Sequence, residues 1–264
     1  MSVDKLKASQ DNNTQVVVTA GKIEFKGMSC KYATSTVPTL SGLSFEIKPS
    51  EKIGVIGRTG SGKSTLIKLL WRALDNYEGN ILIDGMSLKD VDFKSLRSQV
   101  TVVTQETALI EGTLRENIDI RLTNASRDIE VNKILDRLGF TNKDYARNGL
   151  DMKIDADGSN LSAGEKQLVS FARTGLNKRK ILVLDEASAN IDLNTEEHIQ
   201  ACIDEEFKVT TMLIVAHRIQ TIMNCDRILI LEQGKVAALD TPANLSQDKD
   251  GYFNIILSKM KENH

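Results

Sequence analysis

Nine consecutive residues, Gly57 to Thr65 (GRTGSGKST), carry what is needed to hold a chain of phosphates. Glycines at Gly57, Gly60 and Gly62 let backbone amides curl around phosphate oxygens with no Cβ in the way. Lys63 supplies a cation for β- and γ-phosphate charge, and the Ser64 hydroxyl suits a magnesium ion. Arg58, Thr59, Ser61 and Thr65 complete the loop and open the helix behind it. The spacing fits G-x-x-x-x-G-K-[ST] in the context that makes the pattern specific. It directly follows a buried apolar run, KIGVIG, and heads an amphipathic helix through Leu66, Leu69 and Leu70.

A phosphate cradle of this kind needs a metal partner and a water. The run ILVLDE places Asp185 and Glu186 where a buried strand emerges, the end at which open α/β sheets bind ligands. Asp185 would hold Mg²⁺, and Glu186 would orient and deprotonate an attacking water. His217 closes another buried run, LIVAH, and Gln105 closes a β-branched one, VTVVTQ, from which it could reach a metal or water. On pattern alone, His217 reads equally as a structural histidine, Gln105 as a loop residue and Tyr32 as a packed strand aromatic rather than an adenine platform. The stretch NLSAGEKQ is also open to two readings. Ser162 with Glu165 makes a capping box, while Ser162 and Gly164 at a helix N-terminus make an anion site.

These residues must be positioned by alternating strands and helices. KIGVIG, KILVLDE and TMLIVAH are short continuous apolar runs, each followed by a helical stretch, which argues an α/β fold with a parallel sheet. KIEFKGMSCKY, and Leu43, Phe45 and Ile47 alternating with polar residues, predict an antiparallel β-layer beside it. Residues 106–177 carry helical periodicity with no clear buried strand, and read as an inserted helical subdomain between core segments 21–105 and 178–264. RILILEQGKVAALD predicts a hairpin turning at Gln233 and Gly234, and GYFNIILSKMK a terminal amphipathic helix. Residues 1–20 form a polar leader or linker.

The chain has 264 residues and a formal net charge of −2, without the basic footprint that nucleic acid selects, so no nucleic-acid partner is expected. Cys30, Cys202 and Cys225 show no metal-site or disulfide spacing. No stretch approaches the roughly 18–20 apolar residues of a membrane span, so the chain itself is expected to be soluble.

With the cradle, Gln105, LSAGEKQ, LVLDE, SANID and AHR in that order, the sequence from Gly21 onward resembles the nucleotide-binding domain of ABC transporters. The resemblance implies a P-loop NTPase (RecA-like) core with an antiparallel β-layer and an inserted helical subdomain. It also implies ATP and Mg²⁺ as ligands. Tyr32 becomes the adenine-stacking aromatic, Gly57 to Ser64 the Walker A loop, Gln105 the Q-loop glutamine and Leu161 to Gln167 the signature. Asp185 and Glu186 match the Walker B end and catalytic glutamate, Ser188 to Asp192 the D-loop, and His217 the switch histidine. In the family two such domains pair head to tail, so the anion at Ser162 and Gly164 would belong to a partner's ATP.

GRTGSGKST, EGTLRENID and KILVLDEASANIDLNTEEHIQ are similar in particular to the second nucleotide domain of C-subfamily, multidrug-resistance-associated exporters. The resemblance implies a fragment of a longer chain, a non-identical second nucleotide domain, transmembrane domains of a parent transporter, and a place at the cytosolic face of a membrane. ATP hydrolysis would power export; a nucleotide-sensing module of an ABC-type channel or receptor would use the same residues. The chromosome-maintenance ATPases share the fold but insert long coiled coils, and no heptad run is present here. Against the usual LSGGQ, Ala163 replaces a glycine and Glu165 the glutamine. A carboxylate near a triphosphate is repulsive by about 1 kcal/mol in a solvated cleft, so a weak signature is expected, as in the slower of the subfamily's two sites.

Overall fold

The computed structural model describes residues 15, 17–33, 35–105, 107–119, 127–185, 193–215, 218–248 and 251–262. In chain order the strands are β1 (Ile23–Cys30), β2 (Leu40–Ile47), β3 (Lys52–Ile56), β4 (Tyr77–Ile83), β5 (Met86–Ser87), β6 (Val100–Thr104), β7 (Gly112–Thr113), β8 (Lys153–Ile154), β9 (Ile181–Asp185), β10 (Thr211–Val215), β11 (Arg227–Glu232) and β12 (Lys235–Asp240). The helices are α1 (Lys63–Leu70), α2 (Phe93–Gln99), α3 (Leu114–Ile118), α4 (Asp128–Arg137), α5 (Lys143–Asn148), α6 (Ala163–Leu176), α7 (Leu193–Glu206), α8 (Ile219–Met223), α9 (Pro242–Leu245) and α10 (Tyr252–Glu262).

The central sheet has the order β12-β11-β3-β10-β9-β6, parallel except for the edge strand β12. Successive residues of a strand face opposite sides. Ile53, Val55, Ile181, Val183, Leu213, Val215, Leu229 and Leu231 accordingly enter one buried cluster. Leu182, Leu184, Met212, Ile214, Ile228 and Ile230 enter the other. Cover on both faces is why these strands read as unbroken apolar runs.

The first face is covered by α1 and the antiparallel sheet β2-β1-β4-β5. Leu66, Leu69 and Leu70 pack with Phe25, Ile47 and Ile81 in that cluster. The lead-in to β1 is pinned there by one side chain. The Asp84 carboxylate accepts backbone N–H bonds from Thr19 at 2.8 Å, Ala20 at 2.9 Å, Gly21 at 3.1 Å and Lys22 at 2.8 Å.

The second face is covered by Leu168, Val169 and Phe171 of α6, Ile199 and Ile203 of α7, and Phe253 of α10. That cluster continues into Val131 and Leu135 of α4 and on to Leu150 and Met152, so the helical segment and the sheet share one buried core. Within the segment read as helical, β7 and β8 form a small antiparallel pair, Gly112 opposite Ile154. Strands of two residues are too short to leave a periodicity. The β11–β12 hairpin turns at Gln233 and Gly234, with φ of 47° and 75°, the conformation of a two-residue primed turn. Cys30, Cys202 and Cys225 are buried and unpaired. No described helix is long and apolar enough to cross a membrane.

Candidate functional site

Parallel register gathers the candidate residues at one edge. Val215 pairs with Val55 of β3 on one side and with Asp185 of β9 on the other, and Asp185 pairs with Thr104 of β6. One line of register therefore crosses four strands near their carboxyl ends, a span of about 14 Å at ~4.8 Å per strand. The Gly57 loop begins two residues beyond Val55, and Gln105 lies one beyond Thr104. The cradle, Asp185 and Gln105 thus share the edge at which such sheets bind ligands. Glu186, His217 and the segment Ser188 to Asp192 lie outside the described residues.

The loop between β3 and α1 enters the helix through a glycine that no other residue could replace without a clash. Gly62 caps α1 with φ of 105°, a left-handed conformation, and no side chain caps the helix. A Cβ at Gly62 would run into the Leu40 side chain and stand 3.2 Å from the Thr39 carbonyl oxygen. The first turn of α1 holds no acidic residue. Lys63, 9% exposed, arches back over the loop and donates to the Gly57 carbonyl at 2.8 Å and that of Arg58 at 3.4 Å. The Ser61 hydroxyl oxygen is buried without a hydrogen-bond partner. A helix N-terminus, a lysine and an orphaned hydroxyl together fit a phosphate.

Around the cradle, Thr59 and Gly60 are exposed at the loop tip and Ser64 is exposed on α1. The Tyr32 hydroxyl and Thr65 Oγ1 share a hydrogen bond at 3.2 Å, which ties the aromatic residue to the helix behind the loop. The Arg58 guanidinium lies 5.8 Å from the ring centroid of Tyr252 on α10, a cation–π contact the sequence did not announce. Among the described residues no group of three or more His, Cys, Asp or Glu is gathered for a metal. A magnesium ion held through one carboxylate and substrate phosphates needs no such cage. Ser64, Gln105 and Asp185 are oxygen donors of the required hardness.

Ser162 and Gly164 stand elsewhere, at the head of α6 on the helical segment. The capping box is formed. Ser162 Oγ accepts from the Glu165 amide at 3.2 Å, and Glu165 Oε2 accepts from the Ser162 amide at 2.8 Å. Glu165 Oε1 accepts from Asn142 Nδ2 at 2.5 Å, while Asn142 Oδ1 caps α5 by accepting from the Asp144 amide at 2.8 Å. A Cβ at Gly164 would meet nothing within 4 Å.

Two residues further along α6 reach the loop that carries Gln105. Gln167 Nε2 donates to the Gln105 carbonyl at 2.6 Å and to that of Thr104 at 3.2 Å. Arg173 Nε donates to the Asn117 carbonyl at 2.8 Å, and burial holds the Arg173 pKa below its ordinary value. Their trace in the sequence is slight, a polar residue at each end of the stretch LVSFA.

Residues 40–189 match the family model described as ABC transporter. The chain is 40% identical over 255 residues to Bile pigment transporter 1 of Saccharomyces cerevisiae, covering 90% of this chain and 16% of that protein. It is 43% identical over 226 residues to human ATP-binding cassette sub-family C member 3, covering 85% of this chain and 15% of that one. A solved bacterial Atm1-family ABC exporter with ATP bound superposes with a TM-score of 0.84 at 33% identity, covering 93% of this chain and 42% of that chain. The chain thus spans about one sixth of the curated relatives. Register line, cradle and signature helix agree with these likenesses, and the chain belongs to the ABC transporter family, as a nucleotide-binding domain similar to those of its C-subfamily exporters.

Proposed function

We propose that this domain binds ATP with Mg²⁺ in the Gly57–Thr65 cradle and hydrolyses it to drive a parent exporter. The observation that carries the reading is the register line that sets the cradle, Asp185 and Gln105 on one strand edge. Lys63 and the amides of Gly57 to Thr65 hold the phosphates, and Tyr32 stacks on adenine. Ser64, Gln105 and Asp185 hold the metal, whose chemistry is to neutralise charge on the β- and γ-phosphate oxygens. Glu186 takes a proton from the attacking water; its oxygen bonds to the γ-phosphorus as the bond to the ADP oxygen breaks. His217 supports the γ-phosphate end. Ser162 and Gly164 complete the site of a second, non-identical nucleotide domain, and transmembrane domains take up the motion at the cytosolic face of a membrane.

The test is Glu186→Gln with and without saturating Mg-ATP. Turnover is expected to fall roughly 10²- to 10⁴-fold with ATP binding preserved, and the trapped state reports pairing through its solution mass. Unchanged turnover removes Glu186 from the role. A monomer that binds ATP tightly points to a non-identical partner, whereas a dimer of this chain excludes the need for one.

A further inference from the structure

We propose that Gly234, in the turn between β11 and β12, is a positioning residue that sets the distance between Tyr32 and the phosphate cradle, and so how well one nucleotide can reach both. The inference rests on the reading that the cradle takes phosphates and Tyr32 stacks on adenine. The two come from different sheets, Tyr32 from just beyond β1 and the cradle from the end of β3, and both abut the segment Thr39–Leu40. On one side of that segment the fully buried Leu40 closes on Gly62 of the cradle. On the other side lies Gly234, itself buried. A Cβ at Gly234 would run into the Thr39 carbonyl oxygen and stand 3.2 Å from Leu40 Cα. With φ of 75° as well, the position asks for glycine twice over, by conformation and by close approach. The Gly234 carbonyl accepts from the Ser41 amide at 2.8 Å.

The same two residues close the base of the loop that carries Tyr32. The Thr39 amide donates to the Cys30 carbonyl at 2.8 Å, and Leu40 stands opposite Cys30 in the β1–β2 register. Because β2 is the edge strand of the antiparallel sheet, its outer side can take the turn, and β12 lies against it. The bond from Ser41 to Gly234 therefore ties the antiparallel sheet to the central one right beside the cradle. At its far end Tyr32 is already tied to α1 through Thr65, so its backbone end is the one the turn controls. The cradle has anchors of its own. A Cβ at Gly57 would run into the Leu231 carbonyl oxygen on β11, and Lys63 donates to the Gly57 carbonyl at 2.8 Å. A displacement of Thr39 thus moves the Tyr32 loop more than it moves the phosphate site.

Titration with ATP and with inorganic triphosphate, each in excess Mg²⁺, separates the two parts of the site. The unaltered chain is expected to bind ATP roughly tenfold or more tightly than triphosphate, a margin that adenine on Tyr32 supplies. Gly234→Ala is expected to erase most of that margin: ATP binding weakens roughly tenfold and triphosphate binding by no more than about threefold. Gly85→Ala is the matched control, at the same place in the β4–β5 turn, with φ of 82° and nothing within 4 Å of its Cβ. It carries the same left-handed cost and is expected to lower the melting temperature while keeping the margin. Ser41→Pro, on an edge strand where proline is tolerated, removes the donor to Gly234 and is expected to weaken ATP binding selectively by about threefold. Melting curves establish which variants are folded, and if Gly234→Ala is not, Ser41→Pro carries the test. A merely structural role would lower the melting temperature and leave the margin intact, which overturns the proposal, as do equal losses for the two ligands. An unaltered chain that binds ATP no more tightly than triphosphate instead refutes the adenine reading, and the proposal with it.

Discussion

Replacing Gly164 by alanine separates what the signature does for the fold from what it does for a partner. Gly164 is the second residue of α6, in ordinary helical conformation, and a Cβ there meets nothing within 4 Å. Its neighbour Ala163 already carries a Cβ at the same helix end. Alanine in place of glycine in a helix gains about 0.5–1 kcal/mol, which for a chain of this size raises the melting temperature by roughly 1–4 °C. ATP binding in this chain's own cradle is expected to be unchanged, because Gly164 sits on the helical segment and not on the strand edge. In the pairing proposed above, a methyl group between this helix end and a partner's γ-phosphate would hold the phosphate away from donors of the oxyanion-hole kind, and turnover is expected to fall about 10²-fold. Calorimetry, nucleotide binding and steady-state ATPase measurement read the three effects independently. A melting temperature lower by several degrees refutes the open space around Gly164, and unchanged turnover refutes the approach of a phosphate to this helix end.

Gly60→Ala and Gly62→Ala give a graded pair within the cradle. Both have left-handed φ, 81° and 105°, but only the Cβ at Gly62 collides with a neighbour, the fully buried Leu40. Gly60→Ala is expected to weaken ATP binding by the left-handed penalty alone, about 1–2 kcal/mol or roughly tenfold, and Gly62→Ala by ~100-fold or more; equal losses in a titration refute the steric argument. Asp84→Asn is expected to cost about 1–2 kcal/mol of stability at neutral pH, discounted for exposure. Burial pushes the Asp84 carboxyl up, but bonds from the amides of Gly21, Ala20, Lys22 and Thr19 outweigh it and hold the pKa below its ordinary 3.8. The carboxylate's contribution is therefore present above that value and lost as pH falls through the lowered one. Urea melts of the two proteins must converge in acid, and parallel curves refute the clamp.

The strand edge that gathers the cradle, Asp185 and Gln105 was legible because its residue patterns are local in sequence. Gly57 to Thr65 must lie together on one turn, and the strands that carry Asp185 and lead toward Glu186 and His217 are buried on both faces, hence unbroken apolar runs. Ser162 and Glu165 likewise announce a capping box at its proper spacing, and it forms. Long-range polar contacts left no such mark. Asn142 reaches Glu165 across 23 positions, Gln167 reaches Gln105 across 62, and Arg58 meets Tyr252 at the far end of the chain. Nothing periodic distinguishes those side chains from solvated ones. The β4 strand and α2, and the two-residue pair β7–β8, escaped for a related reason: each is either short or irregular in its burial.

The expectation of a weak signature takes a more definite form at Glu165. Each of its carboxylate oxygens is bonded, one to the Ser162 amide at the head of α6 and one to Asn142, the cap of α5. The charge thus sits beside the positive ends of two helices, which is why a glutamate is tolerated where the family keeps an amide. A helix end is worth about half a positive charge, and a carboxylate carries a full negative one. Neither donor bonded to it is charged, so the charge is solvated and not cancelled. The box also engages two of the donors at this helix start, the amides of Ser162 and Glu165, and leaves those of Ala163 and Gly164 outside it. The Ser162 hydroxyl accepts within the box yet keeps its own proton to donate. The helix end therefore offers a phosphate geometry without net attraction, so that in the proposed pairing a partner's lysine and metal would have to supply the charge that holds ATP against it.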